Sequence, residues 1–313
     1  MDSLIVFKQM IILLLIMFVG FILAKTKTMD ESRNKTLSKL VIYVFNPALI
    51  ISCVSTYKVE NSNLVYITFL IGAISFLFLI LVGSVLKKLF ADNLTEQRIY
   101  QLLIIFTNVG FMGIPVIKAI FDNSVLIYIA VIILEYNVLL YTYGMTLVGI
   151  NKGKGILAIA KNFTNIGFIA CAVAMIIFIL KISLPEIIEL SLSSIADCAT
   201  PISMIVIGVS LGCQKDMRST FANRKSYLFI FIKMLVVPVI GMALFRLTSM
   251  PEIIEEICII EMAMPCGSVP MMLVQQAGYN KENTENTGNL IILSTVMSVV
   301  TIPIVITMYN LIH

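Results

Sequence analysis

The feature that most constrains this chain is a series of ten apolar stretches, each long enough to cross a lipid bilayer. A spanning helix needs about 20 mostly apolar residues. Short polar connections separate the stretches, and none is long enough to hold a soluble domain. The sequence therefore predicts an all-α integral membrane protein with ten spans, at 4–24, 37–57, 64–86, 98–121, 124–150, 163–182, 193–213, 225–247, 252–277 and 286–311.

Composition agrees with a membrane protein and excludes several other classes. Hydrophobic residues make up 59% of the chain and charged residues 13%, against roughly 25% charged residues in soluble domains. The single histidine, His313, is the last residue, which excludes Ser-His-Asp catalysis and His-ligated zinc. The six cysteines form no CxxC pair and no GxxxxGK[ST] motif occurs, so a metal knuckle and an ATPase are not indicated. A net charge of +4 does not suggest nucleic-acid binding.

The basic residues predict how the spans are oriented. Sixteen of the 22 Lys and Arg residues lie in or beside the odd-numbered connections, whereas the even-numbered connections hold only Lys58, Lys118, Lys181 and Arg246. Basic connections face the cytoplasm by the positive-inside rule. We therefore expect both termini to lie outside. The sixteen residues are Lys25, Lys27, Arg33, Lys35, Lys39, Lys87, Lys88, Arg98, Lys152, Lys154, Lys161, Lys215, Arg218, Arg224, Lys225 and Lys281.

Prolines inside the spans recur at matching positions in the two halves of the chain. Pro47 and Pro115 are 68 residues apart, and Pro201 and Pro270 are 69 apart. Each half contains five spans, an odd number, so the second half enters the membrane with the opposite orientation. The spacing predicts two inverted five-helix repeats, at 1–156 and 157–313, with their helix breaks in register.

Spans four and nine are expected to unwind near mid-membrane, because each combines proline with glycine or serine. These residues are Gly110, Gly113 and Pro115 in span four, and Pro265, Gly267, Ser268 and Pro270 in span nine. Unwound backbone at that depth is tolerated where it lines a cavity, and paired broken helices in inverted halves point to a transporter site. The half-helix after each break would favour an anion, and the carbonyl end before it a cation. Asn108 and Ser268 can hydrogen-bond a ligand there.

Glu261, Glu135 and Asp197 are acidic residues inside the spans, where a charge costs roughly 2.5–3.5 kcal/mol on insertion scales. Glu261 lies four residues before Pro265, so we expect it to face the unwound segment and to bind a cation or a proton. Glu135 lies deep in span five, where a functional and a structural role are equally compatible with its position. Asp197 either supports the site or pairs with a base such as Lys233, which we otherwise expect to extend toward the cytoplasmic end of span eight.

Three segments carry a resemblance to a known family: NPALI at 46–50, TNVGFMGIPV at 107–116 and EMAMPCGSVPMMLVQQAGY at 261–279. With the ten-span layout they resemble the auxin efflux carrier family, which includes plant PIN proteins and bacterial malate or malonate permeases. The resemblance covers essentially the whole chain. The short fifth connection is similar to the bacterial members, since typical plant carriers have a long cytoplasmic loop there.

The resemblance implies the fold of the bile acid:sodium symporters. Spans 1, 2, 6 and 7 would form a scaffold, and spans 3–5 and 8–10 a transport domain in which the broken fourth and ninth helices cross. It implies elevator-like transport of organic anions with Asn108 as the leading ligand, and a sodium site at Glu261, Thr107 and Asn108. Pro265 stands where the sodium symporters carry a glutamine, which argues against a second sodium site. Coupling to Na⁺, coupling to protons and uncoupled transport all stay open.

The prediction is therefore a multi-pass secondary transporter of the cell membrane, and not an enzyme. We expect its partners to be a small organic anion (malate, malonate, another carboxylate or an auxin-like indole acid), the lipid bilayer, and a second copy bound through the scaffold. No cofactor is expected beyond a coupling Na⁺ or H⁺. Substrate-binding candidates are Asn108, Gly110, Gly113, Pro115, Gly267, Ser268 and Pro270; coupling candidates are Glu261, Thr107, Asn108, Glu135 and Asn137; supporting candidates are Asn46, Asp197 and Thr200.

Three alternatives compete with this prediction. A sodium-coupled bile acid or steroid-like symporter and a channel or receptor share the architecture. Single-channel currents in electrical recordings would indicate a channel. An intramembrane protease is disfavoured because the GxGD and GxSG patterns are missing and no second intramembrane aspartate accompanies Asp197.

Overall fold

The computed structural model describes residues 2–55, 62–121, 125–150, 166–214, 223–247 and 250–312. Within these ranges the regular structure is helical, and the only β-type pairing described is one isolated bridge. The predicted boundary between the halves, at 156 and 157, lies outside the described residues, as do the first residues of span six and the bases Lys58, Lys152, Lys154, Lys161, Lys215 and Arg218. The described helices are α1 Ser3–Lys25, α2 Glu31–Ser55, α3 Ser62–Phe90, α4 Leu94–Ile105, α5 Val109–Ile120, α6 Leu126–Leu147, α7 Ile166–Ile179, α8 Glu186–Cys213, α9 Arg224–Phe245, α10 Glu252–Ala263, α11 Val269–Gln276 and α12 Lys281–Ile312.

Seven of these helices are long and apolar enough to cross a membrane: α1, α2, α3, α6, α8, α9 and α12. They coincide with seven of the ten predicted spans. Span six corresponds to α7, of which 14 residues are described. Spans four and nine each correspond to two short helices, α4 with α5 and α10 with α11. The all-α class is confirmed for the described part of the chain, whereas ten crossings stay a prediction.

Aspartate and asparagine side chains begin several of the helices. Asp2 caps α1, Asp30 caps α2, Asn93 caps α4 and Asn223 caps α9, each accepting a hydrogen bond from a backbone N–H of the first turn at 2.8–3.0 Å. Such caps satisfy one of the N–H groups that a helix start leaves without a partner. The starts of these helices are therefore determined by local polar residues next to the apolar blocks.

Prolines widen the helices in three places and do not unwind them. A π-helical turn comes before each of Pro47, Pro115 and Pro238, at Val41–Phe45, Val109–Gly113 and Ile232–Val236. A proline has no N–H and clashes with the carbonyl four residues earlier, and a wider turn relieves that clash. The expectation that Pro47 and Pro115 mark breaks is therefore wrong, and Pro201 likewise lies inside the helical segment Ala199–Cys213.

Glycines let α1 and α8 cross with their backbones in contact. A Cβ added at Gly208 would lie 1.9 Å from the carbonyl oxygen of Met17, and one added at Gly20 would lie 2.2 Å from that of Ile205. Close approach through small residues is the usual way that helices associate in lipid. In the second half, α7 packs against α2. The first helix of each half thus packs on the second helix of the other half.

The helices differ in how much of their surface is buried. In α10 every residue from Ile254 to Ala263 is buried. In α1 only one side is buried, and large apolar side chains such as Leu4, Leu15 and Phe18 are exposed on the others. An exposed apolar surface of this extent suits hydrocarbon and not water. The core of the molecule therefore lies around α10 and its neighbours, where the interrupted helices meet.

Candidate functional site

The two interrupted helices cross at a short stretch of hydrogen-bonded extended backbone. The interruption between α4 and α5 covers 106–108, and the one between α10 and α11 covers 264–268. Thr107 and Cys266 form an antiparallel bridge. Asn108 donates its backbone N–H to the carbonyl of Pro265 at 2.8 Å, and Gly267 donates to the carbonyl of Phe106 at 3.0 Å. Each segment therefore satisfies a backbone group that the other exposes by unwinding.

Gly267 is required at this crossing because the facing backbone leaves no room for a side chain. A Cβ at Gly267 would lie 2.9 Å from the carbonyl oxygens of both Phe106 and Thr107, and 3.1 Å from the Tyr136 hydroxyl. Gly110 is different, since a Cβ there would meet only the Asn46 side-chain oxygen, at 3.9 Å. One glycine thus permits the crossing, and the other borders open space.

That open space is a cavity beside the crossing. The space not filled by protein atoms there is about 340 Å³, a figure that includes the open mouth. Its walls come from the starts of α5 and α11, from α6 and from α2. The lining residues are Asn46, Thr107, Asn108, Val109, Gly110, Phe111, Ile133, Tyr136, Asn137, Gly267, Ser268 and Val269.

The chemistry of this cavity favours an anion although no basic residue lines it. The first residues of both α5 and α11 belong to the lining, and the first N–H groups of a helix have no partner within it. Two helix starts also bring two positive dipole ends to one place. Asn108 is 2% exposed, and its side-chain Nδ2 has no hydrogen-bond partner. A buried donor without a partner is costly, so a ligand acceptor here would be stabilising.

A second cavity of about 250 Å³ lies on another side of the crossing. Ser75, Thr107, Cys258 and Glu261 contribute its polar groups. Glu261 is 6% exposed, and its Oε1 is buried without a hydrogen-bond partner. Carboxylate and hydroxyl oxygens are ligands that hard cations accept, so Glu261 and Thr107 fit a Na⁺ or a proton. Thr107 belongs to both cavities and therefore links them.

Glu135 lies within electrostatic range of Glu261 and is held against a glycine of α3. Its Oε2 would be 2.1 Å from a Cβ built at Gly72, so the carboxyl group occupies the space where a side chain would stand. Neither carboxyl oxygen of Glu135 has a hydrogen-bond partner, and its charge interacts with that of Glu261. Two neighbouring acids at this depth disfavour a doubly ionised state.

Comparison with known proteins identifies the family. The family of membrane transport proteins matches residues 5–166 and 155–306 of the chain. The chain belongs to this family of transporters. A curated relative, an uncharacterized transporter of Methanocaldococcus jannaschii, is 24% identical over 276 residues, which cover 84% of this chain and 86% of the relative. The auxin efflux carrier family expected from the sequence is thereby confirmed.

The transporter's crossing brings most of the predicted site residues together. Asn46, Thr107, Asn108, Gly110, Asn137, Gly267 and Ser268 all line the first cavity. Thr107 and Glu261 line the second, and Glu135 is within electrostatic range of Glu261. Asn137 also donates from its side chain to the carbonyl of Ile133 at 2.7 Å, which orients it.

Five of the predicted site residues lie elsewhere. Gly113 and Pro115 are inside α5, and Pro270 is in the first turn of α11; none of them is among the lining residues. Because α4 ends before Phe106, the interruption lies earlier than the Gly110–Pro115 stretch, which is helical. Asp197 is exposed and Thr200 half-buried on α8, outside both linings.

Several lining residues were missed by the sequence reasoning. Val109, Phe111, Ile133 and Tyr136 line the first cavity, and Ser75 and Cys258 line the second. Tyr136 follows Glu135 and precedes Asn137, so a polar triplet inside span five was a signal that could have found it. The apolar residues carry no such signal, since their type recurs throughout the spans.

Lys233 also departs from expectation. It is 1% exposed in the π-helical turn of α9, and its Nζ donates to the carbonyl of Met264, where α10 ends. It does not extend toward the end of α9. Within the described residues it forms no ion pair with Asp197 or with another acid.

Proposed function

We propose that the transporter carries a small organic anion across the cell membrane by secondary transport. The observation that carries this proposal is the first cavity, where the starts of α5 and α11 meet beside the unpartnered amide of Asn108. Helix starts bind carboxylate groups through backbone N–H donors. Such a site holds an anion without placing a full positive charge in the bilayer.

The proposed substrates are carboxylates such as malate or malonate, or an indole acid of the auxin type. The cavity pairs polar backbone with Phe111, Ile133 and Tyr136. A carboxylate can bind the helix starts while the remainder of the molecule contacts these side chains. The small volume favours such acids over a bile acid or steroid.

The proposed mechanism is an elevator movement of spans 3–5 and 8–10 against spans 1, 2, 6 and 7. The packing of α1 on α8 and of α7 on α2 supports a single scaffold built from both halves. The inverted repeat is supported too, because the first helix of each half packs on the second helix of the other half. Almost all of the first cavity's lining comes from the proposed transport domain. Asn46 of α2 is the contribution from the scaffold side, so movement of the transport domain would carry the ligand past Asn46.

Coupling to a cation or proton is proposed at Glu261, with Thr107 and Glu135 beside it. Thr107 lies in both cavities, so an ion at Glu261 would act on the backbone that presents Asn108. That arrangement gives a physical route by which ion and anion affect each other's binding. Both termini are proposed to face outward. A homodimer through the scaffold is proposed as well.

The proposal is tested by counterflow of radiolabelled dicarboxylates into proteoliposomes. We expect Asn108→Ala to abolish counterflow, since it removes the unpartnered donor. Glu261→Gln should abolish it too, or remove its dependence on sodium or pH, because an amide has no negative charge to balance a bound Na⁺ and does not take up a proton in this pH range. Glu186→Gln is the matched control, as it alters an exposed acid at the start of α8. Thermal unfolding should show that all three variants are folded.

Normal counterflow by both site variants would contradict the assignment of the site. A channel is tested in the same membranes, where single-channel currents would replace saturable counterflow. A panel of carboxylates in thermal-shift assays, with sodium and pH varied, would identify the substrate and the coupling ion.

A further inference from the structure

Lys233 is a buried base that the proposed transport mechanism does not use. Among the described residues it is the only Lys or Arg that is buried. It forms no ion pair with a described acid, and it lines neither cavity. A charge in that position is costly unless its hydrogen bonds are satisfied. The position of its Nζ therefore needs an explanation.

The partner of Lys233 is the carbonyl end of α10. Met264 directly follows the last residue of that helix, and its carbonyl oxygen accepts from Nζ. Helix ends concentrate partial negative charge, because their last carbonyls lack partners within the helix. In discontinuous membrane helices, carbonyl ends of this kind bind small cations. The ammonium group thus stands where a free cation would otherwise bind.

We propose that Lys233 is a tethered cation that permanently occupies the carbonyl end of α10 and holds the crossing together. The segment after Met264 contains Cys266, which pairs with Thr107 and donates its N–H to Ser294 Oγ at 3.1 Å. By fixing Met264, Lys233 fixes the start of that segment. The ammonium belongs to α9, so it moves with the crossing in every cycle.

The two halves of the molecule differ at this point. On α3, which packs beside α4, no Lys or Arg occurs between residues 63 and 86. There the space beside the crossing is the second cavity, bordered by Ser75 and Glu261. The α3 side of the crossing therefore has room for an exchangeable cation, whereas the α9 side holds the ammonium group of Lys233. This inference rests on the proposed function only in taking the crossing as the moving part.

The test is chemical rescue of the purified full-length protein, measured by thermal unfolding in detergent. Lys233→Ala should lower Tm by roughly 3–10 °C, because carbonyls are left unpaired. Propylammonium chloride should restore at least half of that loss, since it supplies the missing ammonium and its stem. Tetramethylammonium chloride at the same concentration should not, because it has no N–H donor. Wild-type Tm should respond equally to both salts.

Two further variants separate charge from packing. Lys233→Met fills the space without a charge, so its Tm should also fall, but propylammonium should not restore it. Lys118→Ala removes an exposed lysine near the end of α5 and should leave Tm unchanged. If Lys233→Ala folds only when it is purified in propylammonium, that dependence also supports the proposal.

The proposal is overturned if Lys233→Met is as stable as the wild type, or if Lys233→Ala shows no selective response to propylammonium. If Lys233→Ala folds in neither salt, the Tm of Lys233→Met alone decides: a value below that of the wild type supports the proposal, and an equal value overturns it. The readout uses no transported substrate. Its failure would leave the proposed transport function standing, and failure of the counterflow assay would leave Lys233 as the tethered cation.

Discussion

At the scale of single residues, Gly110 and Gly267 form a matched pair that separates ligand binding from folding. Gly267→Ala should destabilise the crossing, because its Cβ would lie 2.9 Å from two backbone carbonyls. Gly110→Ala should fold normally, since its nearest new neighbour is 3.9 Å away. The added methyl group projects toward Asn46 and should weaken substrate binding. Thermal unfolding and counterflow measured on both variants check this pair; equal stability of the two would contradict it.

Polar residues that are fully hydrogen-bonded contrast with those of the site. Gln101 is 1% exposed, donates to Ser84 and Tyr143 at 2.7 and 2.9 Å, and accepts from Lys87 at 2.8 Å. Buried polar groups are normally satisfied in this way. Asn108, Glu135 and Glu261 keep unpartnered atoms. Unpartnered atoms are thus concentrated at the site, although Asn34 Oδ1 and Ser203 Oγ also lack a partner away from it. Residue type alone does not reveal this property.

At the scale of helices, the sequence predicted which spans unwind better than it predicted where they unwind. Spans four and nine are interrupted as expected, and in span nine the extended residues fall on the Pro-Cys-Gly-Ser stretch. In span four the interruption at 106–108 comes before the glycines, because a π-helical turn absorbs Pro115. Sequence rules mark a proline as a defect of the helix, but they do not determine whether that defect widens a turn or breaks it.

The contact between α1 and α8 gives a prediction about helices. Gly208→Leu should force the two helices apart, since even a Cβ there would lie 1.9 Å from the Met17 carbonyl oxygen. Overpacking of a tight interface costs roughly 1–3 kcal/mol or more. We expect a lower Tm and a loss of monodispersity in size-exclusion chromatography. The control is Gly288→Ala, because a Cβ there would have its nearest contact 3.5 Å away. Gly278→Ala is unsuitable, since Gly278 has a positive φ of 72°.

At the scale of the whole molecule, the distribution of basic residues predicts the orientation in the membrane. In a Cys198→Ser background, Ser183→Cys reports on an even-numbered connection and Thr28→Cys on an odd one, and both sites are exposed. A thiol reagent that cannot cross the membrane should label Ser183→Cys in intact cells. It should label Thr28→Cys only after permeabilisation. The reverse pattern would place both termini in the cytoplasm.

Much of the global organisation could be predicted from long-range patterns in the sequence, whereas side-chain placement could not. Apolar block length predicted seven of the long helices, and the motifs around Asn108 and Glu261 predicted the family. Lys233 was missed because a lysine in an apolar helix has two physical solutions, extension to the interface or an internal acceptor. The choice depends on a carbonyl 31 residues away along the chain, which local patterns do not contain.

The packing of each half's first helix on the other half has a consequence for biosynthesis. Gly208 of α8, which contacts α1, comes 183 residues after Lys25 at the end of α1, so it is synthesised long after α1. Until then its backbone-contacting face is open to lipid or to the insertion machinery. The surface of α2 that contacts α7 is likewise open until α7 has been synthesised. The largest contact of α1 and that of α7 are each with a helix of the other half, so the scaffold can be completed only late in translation. A truncated chain would expose interfaces that quality control can recognise.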